Sequence, residues 1–149
     1  MRRFCRALLL TAFSTSASSA FAAGFSDLEG WVGSYPVRER QGKTERIFSD
    51  PHLRSAMARL LSPGDLRTVV DYQQSLPIEL VDGFIVISRC KPRNCAPQRA
   101  VVVLDTREDR LWVGLFERTS SKVAVRWFGN KDDDTVIPRR VVERFRENR

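Results

Sequence analysis

The apolar positions of this chain change period once, near Pro77. Before that point they recur at helical spacing. In SDPHLRSAMARLL, residues 49–61, Leu53, Ala56, Met57, Leu60 and Leu61 fall on one face of a helix. Asp50 is placed to cap it, and Pro51 suits the first helical position, where an N–H has no intrahelical partner to lose. Ser62-Pro63-Gly64-Asp65 stops that helix and starts another, with Ser62 and Asp65 at capping-box spacing. Leu66, Val69 and Val70 form the apolar face of this second helix, and Pro77 closes the helical region.

From Ile78 onward the pattern is that of strands. IELV and FIVIS flank Asp82-Gly83, a pair suited to a two-residue hairpin turn because both positions tolerate positive φ. AVVVL (100–104) and LWVGLF (111–116) flank the polar DTRED, and VAVRWF (123–128) comes after the short link RTSSK. FIVI and VVVL are apolar on both alternating faces, which predicts central strands covered on both sides. The chain closes with GNKDDDT and a basic segment, PRRVVERFREN, whose Val141, Val142 and Phe145 are expected to face inward. Helices, an antiparallel meander of about five strands and a final helix make this an α+β domain. Residues 23–49 carry no clear period. Phe25-Ser26-Asp27-Leu28 reads as the start of a short helix, and Gly30, Gly33 and Pro36 interrupt the stretch after it.

The first 22 residues change how the rest is read. MRRFCR is a basic start, ALLLTAF a short apolar core, and Ala20-Phe21-Ala22 has the small-x-small form of a signal-peptidase site. An apolar run of that length is far short of the ~20 residues a membrane span needs. Cys5 lies before the apolar core, so lipid attachment is not expected. The expectation is an exported, soluble protein with a single domain over residues 23–149. Losing Arg2, Arg3 and Arg6 and no acid takes the formal charge from +7 to +4. Mild basicity with both signs intermixed argues against a nucleic-acid binder.

Only Cys90 and Cys95 remain after such processing. Two cysteines this close in an oxidising compartment read as a structural disulfide. A thioredoxin-like motif has two intervening residues, and here there are four. A zinc site needs more ligands than these two and the sole histidine, His52, far upstream on a helix start. No metal or other cofactor is expected. The bridge closes CKPRNC, the connection between the two most apolar strands, although a plain hairpin needs only a two-residue turn. Closing so small a loop corresponds to roughly 2 kcal/mol of chain entropy, modest for a domain with its own core. Restricting the loop's conformations is the better reason, since bridge and proline together lower the ordering cost of inserting it into a partner. From Arg89 to Arg99 the chain carries Arg89, Lys91, Arg93 and Arg99 and no acid. Two readings stand side by side: a stiff cationic finger aimed at a carboxylate-lined cleft, and a surface loop tidied by a bridge with solvated charges.

Other chemistries find little support. The run Asp132-Asp133-Asp134 lacks the ligand spacing, glycine and terminal glutamate of a calcium loop and reads as solvated. There is no glycine-rich phosphate loop and no nucleophile elbow, so an enzyme is not expected. Trp112 and Trp127 read as packing on the sheet rather than as a sugar platform. The C-terminal Arg139, Arg140, Arg144, Arg146 and Arg149 keep a different class open: an envelope-surface module binding anionic polymer or lipid headgroups.

The bridged Cys-Lys-Pro-x-x-Cys on strand–loop–strand resembles the inhibitor of vertebrate lysozyme family, the Ivy proteins of Gram-negative periplasms. The similarity continues in Gln98-Arg99, in Gly114-Leu115-Phe116 and in Trp127, and spans roughly Phe84 to Phe128. The resemblance implies a small periplasmic α+β protein, often dimeric, that blocks a C-type lysozyme. Lys91, Pro92, Arg93 and Asn94 would form the inhibitory loop, with Cys90 and Cys95 as its clamp. The target cleft carries the paired carboxylates of a retaining glycosidase, about 5–5.5 Å apart. The family typically has histidine where this chain has Arg93. Arginine only donates, is longer and is always charged. Lytic transglycosylases of the cell itself are the alternative target, because a single essential acid could be met by one guanidinium.

Overall fold

The structure, a computed structural model, describes residues 24–129 and 137–147. The leader and the Asp132–Asp134 run therefore lie outside the described residues. Asp50 starts the first helix as its spacing predicts. Its carboxylate accepts the Leu53 N–H at 2.8 Å, and helix α1 runs Pro51–Leu60. Ser62 Oγ accepts the Asp65 N–H at 3.2 Å and donates to the Asp65 carboxylate at 2.8 Å, opening α2, Pro63–Asp71.

The helical region ends sooner than Pro77 suggests. After Asp71 the chain turns, and strand β3, Gln74–Ser75, pairs antiparallel with the end of strand β5, Phe84–Cys90. β3 is the sixth strand of a sheet expected to have about five. Its two residues are too short for any period to announce them, and only pairing with β5 makes them a strand. Strand β4, Glu79–Val81, occupies the other half of the same β5 edge. The turn between β4 and β5 is the expected one, with Asp82 and Gly83 at φ +53° and +85°.

β5 then pairs with β6, Gln98–Asp105, β6 with β7, Arg110–Arg118, and β7 with β8, Val123–Gly129, all antiparallel. The apolar runs are buried on both faces, as their lack of alternation predicts. Ile85, Ile87, Ala100, Val102, Leu104, Val113 and Leu115 pack under α1 and α2 with Leu53, Met57 and Val69. Val86, Val101, Val103, Trp112 and Phe116 pack on the opposite face, where α3, Arg139–Glu147, brings Val141 and Phe145. Val142 is only half-buried. Each fully buried aliphatic side chain contributes on the order of 1.5–3 kcal/mol. The central strands are thus the most rigid part of the fold.

The N-terminal stretch has its own small structure. Phe25–Trp31 is a 3₁₀ helix, and strands β1, Val37–Arg40, and β2, Lys43–Arg46, form a separate hairpin. Its turn residues Gln41 and Gly42 both have positive φ. The strands VRER and KTER are polar along nearly their whole length, so hydrophobic patterning is silent there. Arg38 holds the hairpin in place: it donates to Glu45 and to Gly30 O, each at 2.8 Å, and lies over the Trp31 ring at 3.8 Å. His52, at the start of α1, is half-buried. It hydrogen-bonds Asp109 at 3.0 Å, and the Asp109 carboxylate also accepts the Phe25 N–H at 2.9 Å.

Trp112 and Trp127 pack on the sheet, each across from a glycine: Trp112 pairs with Gly129, and Gly114 with Trp127. A Cβ at Gly114 would sit 2.9 Å from the Trp127 ring and 2.9 Å from Val101 Cγ1. The missing side chain at 114 is the space that Trp127 lies in. Gly114→Ala is expected to destabilise by about 1–3 kcal/mol through overpacking. The midpoint of urea unfolding reads this, and an unchanged midpoint would show that the indole simply moves aside.

Candidate functional site

The loop between β5 and β6 leaves the sheet at its rigid centre. Cys90 and Cys95 are bridged, with Cα atoms 4.8 Å apart. The Asn94 N–H donates to Lys91 O at 2.9 Å and closes a four-residue turn. Pro92 stands second in it and Arg93 third, at φ +63°. A proline followed by a left-handed residue is the sequence of signs a type II turn requires. The left-handed conformation costs a non-glycine residue about 1–2 kcal/mol, and the closed ring holds it there.

Lys91, Pro92, Arg93 and Asn94 are all exposed, and the turn presents them at its outer rim. The limbs beneath are tied down. Lys91 N–H donates to Gln98 O at 3.2 Å, Gln98 N–H to Asn94 O at 2.9 Å, and Arg118 N–H to Pro97 O at 2.8 Å. The third bond fastens the descending limb to the end of β7. The tip therefore offers an ammonium, a guanidinium and a carboxamide on a short stiff support. Such a group can donate hydrogen bonds to anions, and arginine can fork onto a carboxylate.

Two of the four cations counted across this region are not on the tip at all. Arg89 is 7% exposed and Arg99 is 6% exposed. Arg89 donates to Val69 O at 3.2 Å and Val70 O at 2.9 Å, in the last turn of α2, and lies 4.8 Å from the Phe48 ring centre. Burial pulls its guanidinium down to about 10, partly opposed by the charge of Asp71, so it stays protonated at neutral pH. Arg99 donates to Phe145 O through Nε at 2.9 Å and Nη2 at 2.6 Å, and to Ala96 O through Nη1 at 3.2 Å. Its guanidinium lies 3.7 Å from the Phe116 ring centre. Burial also lowers its pKa, with Arg118 adding to the effect. The exposed charge of the loop reduces to Lys91 and Arg93. A signal was present in the strand period, since Arg89 continues the row of Ile85 and Ile87, and Arg99 that of Val101 and Val103.

The surroundings of the loop differ on its two sides. Toward α2 lies a polar cleft of about 660 Å³ bordered by Asp71, Tyr72, Lys91, Pro92, Gln98 and Glu117. Burial and the nearby Glu117 charge raise the Tyr72 hydroxyl pKa. Toward α3 lies an apolar groove lined by Leu76, Leu80, Val86 and Val141. Three arginines of α3 are engaged in ion pairs. Arg139 pairs with Glu143, Arg140 with Asp82, and Arg144 with Glu79. The last two pairs dock α3 on the sheet, while the side chains of Arg146 and Arg149 lie outside the described residues. Among the described residues there is no cluster of three or more potential metal ligands, and no helix is long and apolar enough to cross a membrane.

Comparison with known proteins gives one match. No curated protein and no solved structure matches the chain. A family model described as Inhibitor of vertebrate lysozyme (Ivy) matches residues 52–148, well over half of the chain, including the bridged loop, the strands that carry it and helix α3. The chain belongs to the Ivy family.

Proposed function

We propose that this protein is exported through the leader at residues 1–22 and acts in the periplasm as a protein inhibitor of C-type lysozyme, without catalytic activity of its own. Lys91, Pro92, Arg93 and Asn94 enter the active-site cleft, and the Cys90–Cys95 bridge holds them in the inserting conformation. The observation that carries this reading is the exposed, acid-free, disulfide-closed turn at the end of the central strands, in a chain of this family. The Arg93 guanidinium donates to the ionised member of the target's carboxylate pair, and Asn94 satisfies neighbouring donors and acceptors. Occlusion results because a substrate glycan and the loop need the same space.

One observation favours a second target. The mature chain carries about +4 formal charge, which offers no long-range attraction to a basic lysozyme. Lytic transglycosylases, which depend on one essential acid, are the second reading on that ground. The test is a turbidity assay on peptidoglycan with the oxidised mature protein titrated against both enzyme types. Saturable inhibition of lysozyme is expected. A folded, oxidised protein that leaves lysozyme untouched while blocking a transglycosylase would transfer the proposal to the second target. One that blocks neither would sink it.

A further inference from the structure

The ladder pairs Cys90 with Arg99 and Arg89 with Ala100, so the two buried arginines are diagonal neighbours at the root of the loop. Being one residue out of phase, they leave the sheet on opposite faces. Each reaches the last turn of a different helix: Arg89 the carbonyls of α2, Arg99 a carbonyl of α3. Helix C-termini carry carbonyls without intrahelical partners and a partial negative charge, and a guanidinium satisfies both. Arg99 additionally holds Ala96 O, inside the loop's descending limb.

Stability alone is a poor reason for this arrangement. Taking a guanidinium out of water is costly, and apolar replacements of buried charges are often neutral or stabilising. Arg89 donates to main-chain carbonyls, which carry only partial charge, and its Nε has no hydrogen-bond partner among the described residues. What the pair does supply is direction. Five-donor planar groups locked between a strand and a helix end fix where the strand ends point.

We infer that Arg89 and Arg99 are positioning residues that clamp the root of the bridged loop to α2 and α3, so that the two helices set the angle at which the loop projects. This rests on the loop being the inhibitory element, but the clamp itself is testable without any target enzyme. The experiment is residue-resolved hydrogen exchange on the oxidised mature protein, comparing wild type with Arg99→Met, Arg89→Met and Arg99→Lys. Arg99→Met is expected to speed exchange at the Asn94 and Gln98 amides at least tenfold, with the Val102 and Val113 amides at the sheet centre unchanged. Arg89→Met is expected to do the same at Lys91. Arg99→Lys, which keeps the charge but not the fork, should recover only part of the protection. Loop amides that exchange as in wild type would overturn the inference, as would a rise matched at the sheet centre, which is the mark of a purely global loss. Should Arg99→Met not fold, the other two variants decide on the same criterion.

Against an enzyme that wild type inhibits, folded Arg99→Met should bind at least tenfold more weakly, mainly through faster dissociation. Equal binding would overturn the positioning role. A wild type that inhibits nothing would overturn the proposed function and leave the exchange result to judge the clamp.

Discussion

Alanine at position 93 is expected to weaken inhibition roughly 30- to 1000-fold with almost no change in stability. The side chain is exposed and makes no hydrogen bond among the described residues, so its removal should move the unfolding free energy by only about 0.5 kcal/mol or less. Alanine and arginine meet a similar steric cost at φ +63°, so the turn is kept. An arginine that forks onto a desolvated carboxylate is the kind of group whose truncation costs about 2–4 kcal/mol in an interface, and each 1.4 kcal/mol is about tenfold. Arg93→Lys keeps the charge without the fork and should fall between. Cys90→Ser with Cys95→Ser should weaken inhibition by about 30-fold, from the roughly 2 kcal/mol of loop ordering that the bridge supplies in advance. Inhibition constants for the three proteins check the set. If Arg93→Ala inhibits as well as wild type, the guanidinium is a solvated bystander and the backbone and Lys91 must carry the contact.

The largest loss of stability is expected from Asp105→Ala. Asp105 ends β6 with 2% exposure, opposite Arg110 in the ladder. It accepts from Arg110 Nη2 at 2.7 Å and from the Arg107 N–H at 3.1 Å. Burial pushes its carboxyl up, but the Arg110 hydrogen bond and the backbone amides of Arg107 and Glu108 outweigh it and hold the pKa below the ordinary carboxylate range. Removing one member of a buried pair costs about 3–5 kcal/mol. The low end applies here, because exposed Glu108 stays 3.2 Å from Arg110. That corresponds to a fall in melting midpoint of roughly 10 °C or more for a domain of this size. The pH dependence has a definite sign. A carboxyl whose folded pKa is depressed contributes stability that is fully present above its unfolded value near 4 and is lost as pH falls through the folded value. Asp65, held low chiefly by its hydrogen bond from Arg126, acts in the same direction. Wild-type stability should therefore fall between about pH 5 and pH 2 more steeply than that of Asp105→Asn. Parallel curves would mean that Asp105 titrates alike in the folded and unfolded chain.

Much of the fold can be read from the chain because the relevant physics is local. Asp50 and Ser62 cap within three residues of themselves, and Asp82-Gly83 makes its own turn. The double-faced apolar runs of β5 and β6 need a cover on each side wherever that cover comes from. The bridged loop is legible for a similar reason. A bridge between residues five apart, a proline and flanking strands all act within one short segment. The elements that failed to show are polar or short. The hairpin of β1 and β2 has no apolar row to reveal it, and β3 exists only through the edge of β5.

Residue pattern along the chain is enough to dictate the α+β order, the two buried central strands and a closed loop between them with Lys91, Pro92, Arg93 and Asn94 at its tip. Which positive charges that loop displays is hinted at by the strand period and decided by packing. Arg89 and Arg99 look identical to Arg93 in composition, yet they are drawn inward to the carbonyls at the ends of α2 and α3. Those carbonyls lie 19 and 46 residues away along the chain. A charge goes where its desolvation is best offset, and the partners that offset it here exist only once both helices are packed on the sheet.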